Sequence, residues 1–98
     1  LVPGDRRIDT GKVAKLLGAR RVRIADAKTV AELTGFAPGG VAPFPLLRIE
    51  TILVERRLLR HQVVWAGAGS SAHLVRLAPL ELLRLTSGRV EDIVLESA

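Results

Sequence analysis

The sequence has 98 residues, no cysteine, and 15 Lys and Arg against 10 Asp and Glu, which gives a formal net charge of +5. The lack of cysteine excludes a disulfide framework and a thiolate metal site, and no apolar run is long enough to span a membrane, so we expect no membrane partner. The length predicts one domain over residues 1–98, and the charge favours a polyanion such as RNA, although a solvated basic surface would give the same count.

The chain opens on the apolar pair Leu1-Val2, which runs straight into the turn residues Pro3-Gly4-Asp5. Such a pair is typical of the end of a strand. We therefore expect the N-terminal part of this domain to lie upstream of the first residue.

The first half of the chain predicts an alternation of strands and helices. Residues 21–25 alternate between polar and apolar side chains, as in a short strand. A helix precedes this segment and another follows it at 28–34. Their capping residues are Asp9 or Thr10 with Gly18 for the first helix, and Asp26 with Gly35 for the second.

The second half is richer in predicted strands. Residues 36–45 hold three prolines and two glycines and therefore form a shaped loop. Strands are predicted at 48–55, 62–66, 73–77 and 90–95, with a turn or single helical turn at 56–60 and a helix that begins at Pro79. The pattern predicts an α+β fold, with a curled mixed sheet or pseudo-barrel and short flanking helices.

Two loops are the candidate functional segments, because the sequence lacks a phosphate-binding loop, a nucleophile elbow, a paired-His zinc pattern and an obvious pair of acid–base carboxylates. Gly39-Gly40-Val41-Ala42-Pro43 can bring backbone N–H and C=O groups close to a ligand. Residues 67–73 combine small side chains with one histidine. From composition alone, a structural connection between two elements is the better explanation of the first loop, and a surface or satisfied histidine is the better explanation of the second.

The order of several motifs resembles the YbaK and prolyl-tRNA editing domains. The most specific of them runs from Thr34-Gly35-Phe36 through Pro38-Gly39-Gly40-Val41 to Pro43-Phe44. Three further matches are Pro3-Gly4-Asp5, Leu16-Leu17-Gly18-Ala19 and the closing Val90-x-Asp92-Ile93. A fourth, Ala66-Gly67-Ala68-Gly69, would mean little alone.

The resemblance implies hydrolysis of the ester that links a wrong amino acid to the terminal adenosine of tRNA. It needs no metal or other cofactor, since a 2′-hydroxyl or a substrate thiol assists the attack of water in this family. It implies a cytoplasmic protein acting on the aminoacylated acceptor end, with prolyl-tRNA synthetase as a further partner. By the same resemblance His73 is the candidate catalytic residue, and the candidate substrate-binding residues are Gly39, Gly40, Val41, Ala42, Pro43, Gly67, Gly69 and Ser70.

Two departures from the family pattern matter, and the second, the missing lysine, leaves an alternative open. Ala42 and Pro45 replace a serine and a glycine that many relatives carry, and the functional lysine of the family lies upstream of Leu1. Lys12, Lys15 and Lys28 are predicted on or beside helices and do not match that lysine. The alternative is a non-catalytic module that binds tRNA or a protein.

Overall fold

The computed structural model of the protein describes residues 1–38, 40–43, 48–70 and 72–96. In chain order the elements are α1 (Thr10–Leu17), α2 (Ala27–Thr34), β1 (Leu53–Glu55), a 3₁₀ helix (Arg56–Arg60), β2 (Val64–Gly67), β3 (Leu74–Leu77), α3 (Pro79–Thr86) and β4 (Arg89–Glu91). The loop predicted at 36–45 falls partly outside the described residues.

The caps of the first two helices are those that the sequence predicts. The Asp9 carboxylate accepts hydrogen bonds from the backbone N–H groups of Gly11 (2.9 Å) and Lys12 (3.1 Å), and Gly18 ends α1 in the left-handed conformation with φ 64°. The Asp26 carboxylate accepts from Thr29 N at 2.8 Å, and Gly35 ends α2 at φ 76°. A carboxylate at the N-cap and a glycine at the end satisfy backbone groups that the helix leaves open.

The strand predicted at 21–25 is wrong. These residues connect α1 to α2 and belong to no strand, and Ile24 in this connection is 70% exposed. Alternation alone is a weak signal, because a strand also needs a neighbouring chain to receive its N–H and C=O groups.

The core forms around a parallel pair of strands. β1 pairs with β4 in the register Leu53 to Arg89, and a single antiparallel bridge joins Ile8 to Val94. The Leu1 carbonyl accepts from Glu55 N at 2.9 Å, so the opening residues run beside β1, although they belong to no strand. Among the described residues, the buried apolar side chains include Val13, Val54, Leu58, Leu82, Ile93 and Val94.

A separate antiparallel hairpin carries the second candidate loop. β2 pairs with β3 from Val64 opposite Leu77 to Gly67 opposite Leu74. The hairpin was predicted at nearly these positions. α3 follows with Pro79 in its first turn, as predicted, and Ser87 ends it in the left-handed conformation at φ 52°.

The mixed α+β class is confirmed, but the described strands do not form a closed barrel or one curled sheet. They form two sheets of two strands each. β1 and β4 are also shorter than the segments 48–55 and 90–95 that the sequence predicts, since pairing with a neighbour sets where a strand ends.

Candidate functional site

The first candidate loop, residues 39–43, follows α2 and the glycine that ends this helix, Gly35. Gly40 and Pro43 are buried, while Val41 and Ala42 are half-buried. Gly40 N donates a hydrogen bond to Ala37 O at 3.0 Å, which folds the loop back towards the end of α2. Gly39 lies outside the described residues, as do Phe44 and Pro45 of the family motif.

The second candidate loop is in direct contact with the first. Gly69 N donates to Gly40 O at 3.0 Å. A Cβ atom at Gly67 would lie 2.2 Å from the backbone oxygen of Val41, so only glycine fits there. Gly69 has φ 105°, a conformation that glycine favours, and a Cβ there would lie 3.6 Å from the Phe36 ring. The structure therefore brings together Gly40, Val41, Gly67 and Gly69, and we call this contact the loop junction.

Two backbone donors in the first loop have no acceptor within the part of the chain that the structure describes. Among the described residues, the N–H groups of Val41 and Ala42 donate no hydrogen bond. Both residues are half-buried, and a backbone N–H without a protein acceptor can bind water or a ligand. They can bind an oxyanion or a carbonyl oxygen of a ligand.

Hydrogen bonds between Ser70 and His73 stabilise the end of the second loop. Ser70 Oγ lies 2.6 Å from His73 Nδ1, and the same Oγ accepts from Ala72 N at 3.2 Å. His73 N donates to Ser70 O at 3.2 Å, and Ala68 N donates to His73 O at the same distance. His73 is exposed. When the Ser70 hydroxyl donates to Nδ1, a neutral ring carries its proton on Nε2, available to a ligand or water.

The three lysines lie on the first two helices, outside both candidate loops. Lys12 and Lys15 lie on α1 and Lys28 lies on α2, as the sequence predicts. The Lys12 ammonium donates to Asp92 Oδ1 at 3.1 Å and to Val94 O at 2.9 Å. Its charge therefore holds the C-terminal segment to α1.

Sequence reasoning missed a charged cluster at β1, which we call the ion network. Glu55 is fully buried and accepts hydrogen bonds from Arg57 N (2.7 Å), Arg57 Nη1 (3.2 Å) and Ile93 N (2.9 Å). Arg57 Nη1 also lies 3.2 Å from Asp92 Oδ1, and Lys12 completes the network. The sequence offers one signal, a carboxylate that follows the apolar Ile52-Leu53-Val54 in a strand.

Hydrogen bonds hold the carboxylates of the ion network in their charged form. Burial acts to raise the pKa of Glu55, but the donors on Arg57 and Ile93 outweigh it, so the pKa lies below its ordinary value. The hydrogen bond from Lys12 is the largest cause that lowers the pKa of Asp92, and it raises the pKa of Lys12 in turn. Groups held in one charge state in this way stabilise the fold and are poor acids or bases near neutral pH.

The described residues contain neither a candidate metal site nor a candidate membrane span. No three His, Asp or Glu side chains come close enough together to hold a metal ion. No helix in the described ranges has the length and apolar character needed to cross a membrane.

Comparisons with known proteins give the family. A family model described as "Aminoacyl-tRNA editing domain" matches residues 1–85. A protein of Enterococcus faecalis named "Putative Cys-tRNA(Pro)/Cys-tRNA(Cys) deacylase EbsC" is 26% identical over 93 residues, which cover 95% of this chain and 57% of that protein. A proline–tRNA ligase of Desulforamulus reducens is 36% identical over 80 residues, which cover 81% of this chain and 14% of the ligase.

A solved structure gives the same result for the fold. The crystal structure of "a putative trans-editing enzyme for prolyl tRNA synthetase" superimposes with a TM-score of 0.91 at 40% identity, covering 98% of this chain and 60% of that one. The chain thus spans no more than 60% of the length of any of these three proteins. The resemblance found in the sequence is confirmed, and the chain belongs to the aminoacyl-tRNA editing domain family.

Proposed function

We propose that this protein hydrolyses the ester of mischarged tRNA in trans, on tRNA-Pro that carries a small wrong amino acid. The observation that carries the proposal is the loop junction, where the N–H groups of the half-buried residues Val41 and Ala42 have no acceptor among the described residues. The names of the relatives support a substrate of this class. In this proposal residues 1–98 act as one domain.

The reaction needs water, an oriented ester and a stabilised oxyanion. Water adds to the ester carbonyl carbon, the bond to the ribose oxygen breaks, and that oxygen leaves as a hydroxyl with a proton from the water. The negative charge that develops on the carbonyl oxygen is stabilised by backbone donors such as Val41 N and Ala42 N, since fixed N–H dipoles cost no reorganisation. The 2′-hydroxyl of the terminal adenosine lies beside the ester and can orient the water.

The small residues of the loop junction limit the size of the amino acid that the site accepts on the tRNA. Gly67 and Gly69 have no side chain, and Gly67 lies directly against the Val41 backbone. A pocket lined by such residues takes a side chain of one or two carbons. One methylene changes binding by only about 1–3 kcal/mol, which is why a synthetase benefits from a separate editing step.

In the proposed function the protein works in the cytoplasm, and prolyl-tRNA synthetase is a further partner.

A set of unpaired arginines supports tRNA as the partner. Arg20, Arg21 and Arg23, in the connection between α1 and α2, are exposed, and none has a hydrogen bond or ion pair from its side chain to another described residue. By contrast, Arg56, Arg57, Arg84 and Arg89 are paired with carboxylates. Unpaired guanidinium groups are free to contact phosphates, which bind with steep salt dependence and little dependence on base sequence.

The alternative is a binding module without activity, and the lysines favour it. All three lysines of the chain lie on helices, and the Lys12 ammonium is bound to Asp92. The functional lysine that the resemblance implies therefore has no equivalent among them. In this alternative, tRNA binds at the arginines and leaves unchanged.

One experiment separates the two functions. Hydrolysis is measured on Ala-tRNA-Pro, Cys-tRNA-Pro and Pro-tRNA-Pro, with tRNA binding followed in parallel at low and moderate salt. Editing predicts fast loss of one of the two wrong amino acids, slow loss of proline, and affinity that falls steeply with salt. Salt-dependent binding with no hydrolysis of any of them would favour the binding module and overturn the proposed activity.

A further inference from the structure

One face of the β2–β3 hairpin is exposed. Trp65 lies opposite Arg76, and Gly67 lies opposite Leu74. Residues directly opposite each other in an antiparallel pair project to the same face. On this face Trp65 and Leu74 are each 63% exposed and Arg76 is exposed as well, whereas the other face carries the half-buried Val64, Ala66, Val75 and Leu77.

This face continues into the loop junction. Trp65 and Gly67 are two residues apart on one strand, so they share a face and lie about 7 Å apart along it. Gly67 is the residue that the Val41 backbone crosses. Trp65 therefore lies two residues along the strand from the point where the Val41 backbone packs against β2.

The chemistry of the pair fits an unpaired base. Trp65 is an aromatic ring in the middle of a strand that leaves most of its surface in water, and the Arg76 side chain has no ion pair or hydrogen bond to any described residue. Bases of single-stranded RNA stack on aromatic rings and on the guanidinium planes of arginine. An acidic peptide would account for Arg76 but would leave the indole ring without a partner.

We propose that Trp65 and Arg76 form a stacking site for an unpaired base near the 3′ end of the RNA substrate. The inference rests on the proposed function, which places the terminal ester at the loop junction, and it adds the residues that hold the preceding single-stranded nucleotides. A chain with three aromatic residues cannot offer a broad stacking platform, but one tryptophan and one arginine suffice for one base. The stacked base aligns the ester with the backbone donors.

Trp65 is the only tryptophan of the sequence, so its fluorescence reports directly on the site. The probe is an unacylated RNA hairpin with an acceptor-stem duplex and a single-stranded 3′ end, and the same hairpin with a blunt end is the control. The expected result is quenching of Trp65 by the first RNA and little change with the blunt one. Trp65→Phe is the blank for the signal.

Affinity of the labelled RNA, measured by anisotropy, supplies the second readout. Stacking on an aromatic ring contributes about 1–3 kcal/mol per base, so Trp65→Leu should weaken binding on the order of tenfold, with a smaller loss for Trp65→Phe. Arg76→Ala should weaken binding less, and Arg76→Lys should not restore it fully, because an ammonium has no plane to stack. Arg84→Ala, on the exposed side of α3, is the matched control and should bind as the wild type does.

Each outcome bears on the inference or on the proposed function separately. Unchanged Trp65 fluorescence when the RNA is bound, or equal RNA affinity in Trp65→Leu and wild type, overturns the inference even if hydrolysis persists. Quenching by the overhang without hydrolysis of any aminoacyl-tRNA supports the inference and overturns the proposed activity. Tighter binding of an acidic peptide than of the RNA, or no RNA binding at all, overturns the inference.

Discussion

The ion network and the loop junction use polar groups in opposite ways. In the network, the buried Glu55 carboxylate is surrounded by donors from Arg57 and Ile93. In the junction, contact is made by backbone atoms of glycines, and the N–H groups of Val41 and Ala42 have no acceptor among the described residues. Charged side chains thus fix the scaffold, and unsatisfied backbone groups are left for a ligand.

Two glycines have no room for a side chain, Gly67 in the loop junction and Gly88 beside the core residue Val54. A Cβ atom at Gly67 would lie 2.2 Å from the Val41 backbone oxygen, and one at Gly88 would lie 2.5 Å from Val54 Cγ2. The first clash displaces the candidate site, while the second presses on a core side chain. The pair offers a way to separate damage to function from damage to the fold.

The largest effect is expected at the centre of the ion network. Glu55→Ala removes the acceptor of three hydrogen bonds: it takes the buried one of the carboxylates that Arg57 contacts and leaves the buried Ile93 N without its acceptor. Breaking a buried ion pair from one side costs about 3–5 kcal/mol of unfolding free energy. Urea denaturation measures this loss, and Glu50→Ala, at an exposed position, should change stability by less than about 0.5 kcal/mol. Equal stability of the two variants would show that the network does not hold the fold.

Substitutions of Gly67 and Gly88 should separate a loss of activity from a loss of stability. Gly67→Ala should lower deacylation by about 100-fold, since a displacement of about 1 Å at a site can cost that much. Gly88→Ala should instead lower unfolding free energy by about 1–3 kcal/mol through overpacking, with normal turnover by the folded fraction. Rates and thermal midpoints of both variants check this. The same loss of activity in both, at equal folded fractions, would contradict the assignment of the site to the junction.

A smaller effect is expected from histidine substitutions. His73 adjoins the second loop and lies within hydrogen-bonding distance of Ser70, so His73→Ala should slow deacylation about tenfold, less than loss of a group that transfers a proton. His61 is exposed at the end of the 3₁₀ helix and serves as control. Rates on misacylated tRNA decide the matter. If His73→Ala is as active as His61→Ala, His73 only fastens the loop.

The smallest effect concerns pH. Folding lowers the pKa of Glu55 and of Asp92, so the unfolded chain binds more protons in acid than the folded one does. The stabilisation is complete above the ordinary carboxyl pKa of about 4 and is lost as pH falls through the lower folded values. Unfolding free energy measured between about pH 6 and pH 2 should fall, and Glu55→Gln should show a shallower fall. An identical slope in Glu55→Gln would exclude Glu55 as a source of the acid sensitivity.

The local elements were predictable where the signal is local. Asp9, Gly18, Asp26 and Gly35 specify helix ends by their own hydrogen bonds or φ angles, and the structure places them as predicted. Residues 21–25 alternate like a strand, but pairing depends on a distant segment, and the prediction was wrong. The closure of the sheets was not predictable for the same reason.

In the candidate site, too, the local features were predictable and the contacts between distant residues were not. Glycine and proline content indicated both loops, but the hydrogen bond from Gly69 to Gly40 and the crossing of Val41 over Gly67 join residues about 30 positions apart. The contact between the two loops depends on the tertiary fold and could not be predicted from either loop's sequence. Glu55 escaped notice because a single carboxylate in a strand is usually solvated, and its partner Ile93 N lies 38 residues away.

Deacylation by Gly40→Val, compared with wild type on the same misacylated tRNA-Pro, tests most directly whether backbone groups at the loop junction carry the activity. Gly40 is buried between Ala37 O and Gly69 N, so a valine side chain should displace the neighbouring Val41 and Ala42 N–H groups. We expect a loss of at least about 100-fold, the scale for removal of an oxyanion donor, with circular dichroism and thermal midpoint close to wild type. Unchanged turnover in a well-folded Gly40→Val would contradict the account.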